Sequence, residues 1–270
     1  MNMDGSATSF KIKEDTLEFI NTKCTKSMGP CHLVTDLKRE KLFVANYGEG
    51  SICVYNLDST GEIEEMIYEK KYSKSKMHYI GLDNEYIYAV DLERDCIIIY
   101  NNTNEIQEEK IIEIENGAGP RHFVMNKEYM YVVTEYSNMI YVYNIKNNTE
   151  FELIQKISTT PEGAKEKTFA GAIKLSKNGQ NLYVTNRGHN SISVFNIINN
   201  KLELVQNISC GGDFPRDIEL NSSEEYLLVA NQKSNNITIL KRDLKNGKLV
   251  LTRSAMKMEK PTCIVSKKTS

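Results

Sequence analysis

Several common features are missing from this chain of 270 residues. It has no run of about 18 apolar residues that could cross a membrane. Its beginning, MNMDGSATSFKIKED, lacks the apolar stretch of a signal peptide. The formal net charge is only −2, which argues against the clustered excess of Lys and Arg that nucleic-acid binding needs. We therefore predict a cytoplasmic protein with neither a membrane nor a nucleic-acid partner.

The cysteine pattern argues against a metal site. The six cysteines are scattered and form no Cys-x-x-Cys pair, so neither a metal nor another cofactor is predicted, and reduced thiols in a cytoplasm fit better. The chain also lacks a linker rich in Pro, Gly or Ser, a long charge block and an amphipathic helix. These absences favour a single domain over residues 1–270.

What the chain does contain is one strand-type motif that occurs five times. Each copy is an apolar segment interrupted by a polar turn, and the copies begin 43 to 52 residues apart. They are LFVANYGEGSICVY (42–55), IYAVDLERDCIIIY (87–100), MYVVTEYSNMIYVY (130–143), LYVTNRGHNSISVF (182–195) and LLVANQKSNNITIL (227–240). A period of about 40–50 residues built from strands is typical of a β-propeller. The predicted fold is therefore all-β.

Each copy supplies the second and third strands of a four-stranded blade. A short strand precedes it, and a turn rich in Asn, Asp and Gly leads to a fourth strand. The predicted complete blades are residues 30–73, 77–115, 120–158, 170–210 and 215–255. Residues 6–20 are predicted to be the third and fourth strands of an earlier blade, and residues 260–266 the first strand of a further one. Both terminal blades are therefore predicted to be incomplete. Residues 159–168 are predicted to form a surface loop.

Aligning the copies places polar residues in two adjacent columns. The first column holds Asn46, Asp91, Thr134, Asn186 and Asn231. Because it repeats in most blades, we expect it to be structural and to cap the turn between the second and third strands. The second column varies, and it holds Tyr47, Leu92, Glu135, Arg187 and Gln232. Glu135 is its acidic member, and its apolar neighbours predict partial burial, which suits a carboxylate to proton transfer.

Arginines and histidines in strand segments are the other candidate functional groups. The arginines are Arg121, Arg187 and Arg216, and the histidines are His32, His78 and His122. A guanidinium fork binds phosphate or carboxylate through two parallel hydrogen bonds. The structural alternative is that these arginines bridge neighbouring blades. The three histidines stand at nearly equivalent points of the first strands, where they could bind a ligand or merely hydrogen-bond the backbone of the next blade.

Several segments resemble, in the right order, the lactonase family of bacterial 6-phosphogluconolactonases. They are ANYGEGSICVY (45–55), DLERD (91–95), GPRHF (119–123), TEYSNMIYVY (134–143), NRGHNSISVF (186–195), FPRDIEL (214–220) and VANQKSNNITI (229–239). The resemblance extends over nearly the whole chain. It implies a propeller of the seven-bladed lactonase type that lacks roughly the first two blades' worth of N-terminal strands. Two positions depart from the family pattern: Glu93 replaces a Gly, and Lys76 replaces a His that commonly precedes the one matched by His78.

The resemblance also implies an activity: hydrolysis of 6-phosphogluconolactone to 6-phosphogluconate in the pentose phosphate pathway, without a metal or cofactor. In related fungal enzymes that lactonise carboxymuconate, a His, two Arg and a Glu are the proposed active residues. By motif, the catalytic residues here would be His78, Arg121, Glu135 and Arg187, with His122, Arg216 and His32 binding the sugar-phosphate lactone. Three alternatives stay open: an inactive truncated relative, a non-enzymatic scaffold, and a lactonising enzyme that acts on a dicarboxylate. The oligomeric state is not predicted.

Overall fold

The apolar repeats form the centres of β-sheets in a computed structural model of the chain, which describes residues 5–83 and 85–266. These ranges contain no helix, and therefore none that could cross a membrane. The strands are β1 (Ser6–Lys13), β2 (Thr16–Cys24), β3 (Pro30–Asp36), β4 (Lys41–Asn46), β5 (Ser51–Leu57), β6 (Ile63–Lys71), β7 (Met77–Leu82), β8 (Tyr86–Asp91), β9 (Cys96–Asn101), β10 (Glu108–Glu113), β11 (Pro120–Met125), β12 (Tyr129–Thr134), β13 (Met139–Asn147), β14 (Glu150–Ser158), β15 (Phe169–Leu175), β16 (Asn181–Arg187), β17 (Ser191–Ile198), β18 (Lys201–Ser209), β19 (Pro215–Leu220), β20 (Tyr226–Asn231), β21 (Asn236–Arg242) and β22 (Leu249–Lys257).

Five sheets have four antiparallel strands in chain order, as the repeat predicts. They are β3–β6, β7–β10, β11–β14, β15–β18 and β19–β22. Strands β1 and β2 pair only as a two-stranded sheet, which agrees with the predicted remnant of an earlier blade. Residues 159–168 contain no strand, as expected of a loop. Sheets of four antiparallel strands repeated along the chain are the blades of a β-propeller, so the all-β prediction and the five complete blades are confirmed.

Burial explains why the second and third strands carry the strongest sequence signal. Every residue of β4, β12 and β16 is buried, whereas most residues of the outer strand β14 are exposed or half-buried. A strand covered on both faces has to be apolar almost throughout, while an outer strand accepts Lys and Glu on its open side.

A residue with left-handed backbone occupies the same place in the turn between the second and third strands of all five blades. These left-handed turn residues are Gly50, Asp95, Asn138, Asn190 and Asn235, with φ between 50° and 62°. Gly, Asn and Asp are the residue types that adopt this conformation at low cost. In each blade their carbonyl oxygen accepts a hydrogen bond from the chain just after the fourth strand, as in Thr159 N to Asn138 O at 2.9 Å and Cys210 N to Asn190 O at 3.0 Å.

The side chains of Asp95, Asn138 and Asn190 reach the start of the following first strand. Asp95 Oδ1 accepts a hydrogen bond from Gly119 N at 2.7 Å. Asn138 Oδ1 accepts one from Ala170 N at 2.7 Å, and Asn190 Oδ1 one from Phe214 N at 2.9 Å. In these three blades one polar side chain therefore fixes where the next first strand begins.

The chain divides into two compact units, Met1–Pro120 and Arg121–Ser270. The first unit contains the β1–β2 hairpin and the sheets β3–β6 and β7–β10. An apolar core lies between these two sheets, with Phe43, Ile52, Met77 and Ile98 among its buried members. A smaller cluster seats Ala7 of the hairpin against Leu42, Tyr55 and Ile63.

The second unit contains the sheets β11–β14, β15–β18 and β19–β22. Its cores lie between successive sheets. Tyr131, Ile173 and Phe195 are buried in one of them. Tyr183, Ile218 and Leu240 are buried in the other.

The first polar column is structural, as predicted. All five of its side chains are fully buried. Asn186 Nδ2 donates to Thr159 O at 3.0 Å, Asn231 Nδ2 donates to Thr238 Oγ1 at 3.0 Å, and Asp91 Oδ1 accepts from Arg94 N at 3.2 Å. The column therefore holds the turn between the second and third strands and its surroundings in place.

The prediction of a strand over residues 260–266 is wrong. The segment begins like a first strand, because Lys260 N donates to Oδ1 of the left-handed turn residue Asn235 at 2.9 Å. It then lies beside β19, where Ile264 N donates to Asp217 Oδ2 at 2.8 Å and Ser266 Oγ to Glu219 Oε1 at 2.9 Å. These partners are side chains, and a strand requires a ladder of backbone hydrogen bonds.

Candidate active site

Glu135 links two buried arginines in the second unit. Its Oε2 atom lies 3.1 Å from Arg121 Nε and 2.8 Å from Arg187 Nη2. The side chains of Arg121 and Arg187 are 3% and 6% exposed, and that of Glu135 is 18% exposed. Arg121 belongs to β11, Glu135 directly follows β12, and Arg187 ends β16. The fold therefore brings together three of the four residues that the resemblance marks as catalytic.

Three successive carbonyl groups of β15 hold the same two arginines. Arg187 donates from Nε to Phe169 O at 3.2 Å and from Nη2 to Ala170 O at 2.7 Å. Arg121 donates from Nη1 to Gly171 O at 2.9 Å. The β15–β16 register shifts between Ala170 and Ile173, and such a bulge re-aims backbone groups that would otherwise alternate along the strand.

Gly171 leaves no room for a side chain at this bulge. A Cβ atom there would lie 2.4 Å from Thr185 Oγ1 and 3.3 Å from Arg187 Nε. Thr185 Oγ1 accepts the hydrogen bond of Ala172 N at 2.8 Å, so it cannot move away without breaking that bond. Close approach of the backbone to two side chains thus requires glycine.

We expect Gly171→Ala to lower the free energy of unfolding by about 1–3 kcal/mol, the usual cost of overpacking a tight interior. Because the added methyl group also contacts Arg187, any enzymatic activity should fall further than the unfolded fraction explains. Urea unfolding followed by circular dichroism measures the first effect. A variant as stable as the parent would show that the bulge can widen to admit a Cβ.

The electrostatics of the cluster favour an anionic ligand. Burial and the charge of Arg187 lower the pKa of Arg121 to about 9, against the opposing effect of Glu135, so Arg121 stays cationic at neutral pH. The charges of Arg216 and Asp217 also act on Arg121. Burial raises the pKa of the Asp217 carboxyl, so burial disfavours its ionised form. Three guanidinium groups therefore outnumber the carboxylates around them.

Two further predicted ligand-binding residues lie beside this cluster. His122 is half-buried, and its Nε2 lies 3.0 Å from Arg121 Nη1. Arg216 lies in β19 and donates from Nη1 to Gln232 Oε1 at 3.3 Å. Among the side chains of residues 5–83 and 85–266, no group of three or more His, Cys, Asp or Glu could hold a metal ion.

The other two predicted histidines belong to the first unit. His78 is 6% exposed, and its ring meets the edge of the Tyr47 ring with centroids 5.7 Å apart. His32 Nδ1 accepts a hydrogen bond from Ile80 N at 3.3 Å. That bond to the neighbouring first strand is the contact expected of a histidine with a structural role.

The register shows that His32 and His78 are not in equivalent positions. In β7, Met77 pairs with Asp91 and Tyr79 with Val90, so His78 is the bulged residue. In β19 the bulged residue is Arg216, between Pro215 and Asp217. In β3 it is Cys31, and His32 comes one residue later.

The chain matches a known protein family over nearly its whole length. A family model described as "Lactonase, 7-bladed beta-propeller" matches residues 1–266. The chain belongs to this lactonase family.

Individual relatives extend the match over almost the whole chain. The 6-phosphogluconolactonase of Bacillus subtilis (strain 168) is 28% identical over 279 residues, which cover 96% of this chain and 80% of that relative. A crystal structure of a protein from Lactobacillus plantarum is 29% identical with a TM-score of 0.93, and the match covers 97% of this chain and 82% of that one. The Pseudomonas aeruginosa periplasmic gluconolactonase, at 23% identity, a TM-score of 0.91 and coverage of 97% and 80%, shows the fold alone.

In this member of the lactonase family, Lys76 and Glu93, the two positions at which the resemblance implies a departure from the family pattern, contact each other. Lys76 Nζ lies 2.9 Å from Glu93 Oε2, and both side chains are exposed. Lys76 Nζ also lies 5.6 Å from the centroid of the Tyr47 ring, which His78 contacts. The replacements thus form a surface ion pair next to His78.

Two side chains near the cluster were not predicted from the sequence: Phe214, which contacts Arg187, and Lys233, which contacts Phe214. The Phe214 ring centroid lies 5.4 Å from Arg187 Cζ and 4.1 Å from Lys233 Nζ. Phe214 begins the FPRDIEL segment, and Lys233 directly follows Gln232 of the second column. Their place next to candidate residues was therefore the available signal, although their mutual contact depends on the fold.

Proposed function

We propose that this protein is a 6-phosphogluconolactonase that hydrolyses 6-phosphogluconolactone to 6-phosphogluconate in the pentose phosphate pathway. The observation that carries the proposal is the Glu135 carboxylate held between the guanidinium groups of Arg121 and Arg187 in a largely buried cluster. Membership of the lactonase family and the name of the Bacillus subtilis relative support the same reaction.

In the proposed reaction Glu135 acts as the general base. Both arginines contact its Oε2 atom, which leaves Oε1 to accept a proton from a water molecule that attacks the lactone carbonyl carbon. The new carbon–oxygen bond converts the carbonyl oxygen into an oxyanion. When the bond from the carbonyl carbon to the ring oxygen breaks, the ring oxygen takes the proton back from Glu135 and becomes a hydroxyl group.

The arginines stabilise the charge that this reaction develops. Their contacts with the protein use Nε and Nη1 of Arg121 and Nε and Nη2 of Arg187, so their other η nitrogens would meet the ligand. A guanidinium fixed in a buried site stabilises an oxyanion without further reorganisation, and the low local dielectric strengthens the interaction.

The remaining predicted residues keep their proposed roles. His122 and Arg216 would bind the substrate, since both lie beside Arg121 or act on its charge. His78 is proposed as catalytic, and His32 as substrate-binding, from the motif alone. Within residues 5–83 and 85–266, none of the six cysteines forms a disulfide, which supports a proposed location in the reducing cytoplasm.

The test is direct: purified protein should consume 6-phosphogluconolactone faster than the lactone hydrolyses spontaneously. The acid released can be followed in a weakly buffered solution with a pH indicator, against a blank without protein. Circular dichroism establishes that the sample is folded. Folded protein that gives no rate above the blank would overturn the proposed function, and a scaffold that binds a partner would then be the better hypothesis.

A further inference from the structure

Phe214 has a backbone conformation that a bulky aromatic residue rarely adopts. Its φ is 63°, and a non-glycine residue in the left-handed region costs on the order of 1–3 kcal/mol. Two hydrogen bonds hold it there: Phe214 N donates to Asn190 Oδ1 at 2.9 Å, and Phe214 O accepts from Gln232 N at 3.1 Å. The turns of two blades therefore fix the position of this ring.

The ring contacts one buried cation and one exposed cation. Arg187, whose side chain is 6% exposed, has its Cζ 5.4 Å from the Phe214 centroid. Lys233 is exposed, and its Nζ lies 4.1 Å from the same centroid. An aromatic face attracts cations at such distances, so Phe214 holds the ammonium group of Lys233 on the same ring that Arg187 contacts.

Lys233 differs from Arg187 in having no counter-ion among the described residues of the second unit. The described ion pairs of the second unit involve Arg121, Arg187, Arg242, Lys146 and Lys174. Within residues 121–266, no carboxylate lies within salt-bridge distance of Lys233. Its charge is therefore available to an anion that comes from outside the protein.

A phosphorylated lactone carries its two reactive features at opposite ends of the sugar. The carbonyl carbon needs the base and the oxyanion donors, whereas the phosphate needs a cation that is not already paired with a carboxylate. Glu135 would repel a phosphate placed directly on the Arg121–Arg187 pair. An ammonium group on a flexible stem is a good point-charge ligand for phosphate.

We propose that Lys233, held over the Phe214 ring, binds the phosphate group of the substrate and makes the site selective for phosphorylated over unphosphorylated lactones. This inference rests on the proposed function, and it adds the group that selects the substrate class. Phe214 acts as the wall that positions the ammonium group.

The experiment compares Lys233→Gln with the parent on 6-phosphogluconolactone and on unphosphorylated gluconolactone. We expect the ratio of kcat/KM for the phosphorylated to the unphosphorylated lactone to fall about tenfold or more, mainly through a higher KM for the phosphorylated lactone. Lys233→Arg, which keeps the charge, should restore most of the ratio. Phe214→Leu should give a smaller fall, because the ammonium group loses its aromatic support. An unchanged ratio in Lys233→Gln would overturn the inference.

Lys156→Gln is the matched control. Lys156 Nζ also lies over an aromatic ring, 5.2 Å from the Tyr141 centroid, but on the outer strand β14. The same chemical change there should leave the ratio as in the parent. A fall equal to that of Lys233→Gln would show that surface charge in general, and not Lys233, sets the preference.

A binding experiment separates this inference from the proposed function. Calorimetric titration with 6-phosphogluconate needs no catalysis, and Lys233→Gln should weaken the Kd about tenfold. If the parent binds this ligand but hydrolyses neither lactone, the proposed function fails. The Kd of Lys233→Gln for 6-phosphogluconate then decides by itself whether Lys233 binds the phosphate. If the parent hydrolyses both lactones but the variant binds as the parent does, the phosphate site fails alone.

Discussion

Glu135→Gln is expected to lower kcat/KM for 6-phosphogluconolactone by roughly 10²–10⁴-fold, the contribution of a positioned general base. Glutamine keeps the shape of the side chain and can still accept hydrogen bonds from Arg121 and Arg187, but it cannot take a proton from water. The measurement is the initial rate of acid release, corrected for spontaneous hydrolysis and for the folded fraction at the assay temperature.

The correction matters because the substitution also removes the negative charge between two buried guanidinium groups, and breaking a buried ion pair is destabilising. Glu152→Gln is the matched control, since Glu152 forms an exposed ion pair with Lys146 at 2.6 Å, and exposed ion pairs contribute little to stability. It should leave both activity and stability close to those of the parent. If Glu135→Gln retains full activity, Glu135 is a structural bridge between the arginines and another group activates water.

Arg242→Met should have the largest effect on stability, lowering the free energy of unfolding by about 3–5 kcal/mol, as expected when one partner of a buried charge network is removed. Arg242 is 4% exposed. It donates to Tyr183 Oη at 2.6 Å and to Asn181 Oδ1 at 2.7 Å, and Glu224 Oε2 lies 3.6 Å away. Methionine fills much of the volume but leaves these partners buried without their donor.

Urea unfolding of Arg242→Met, compared with Arg253→Met, measures this effect. Arg253 is an exposed residue of β22, so its replacement should change stability by no more than about 0.5 kcal/mol. Equal stability of the two variants would show that the apolar side chain compensates fully for the lost network. The Arg242 network lies away from Glu135, so the lactonase rate per folded molecule should not change.

The blades could be predicted from the sequence because each has two strands buried on both faces. A strand such as β16, with every residue buried, leaves an apolar run whose period identifies the repeat. Residues 260–266 show the limit of that reasoning. Their composition is that of a first strand, and Lys260 N donates to a left-handed turn residue, as the start of a first strand does. A strand, however, exists only when another backbone pairs with it.

Part of the candidate site could also be predicted from the sequence. The second column and the family motif pointed to Arg121, Glu135 and Arg187, which the fold brings into contact. The relation of His32 to His78 was not predictable, because one bulged residue changes the register. The contact of Lys233 with Phe214 was also beyond the sequence, since it depends on a left-handed backbone at a residue type that gives no sign of it.

The left-handed turn residues have a consequence for how the second unit opens. Asn138 and Asn190 each reach the start of the following blade, so cooperativity passes between adjacent blades, as in linear repeat arrays. Asn190 reaches the strand that carries Arg216 and, through Phe214 N, the wall that supports Lys233. Partial unfolding of β19–β22 would therefore release the proposed phosphate-binding Lys233 while Arg121, Glu135 and Arg187 stay in place. Hydrogen exchange would detect this as a sub-global opening of lower free energy than unfolding of the whole unit.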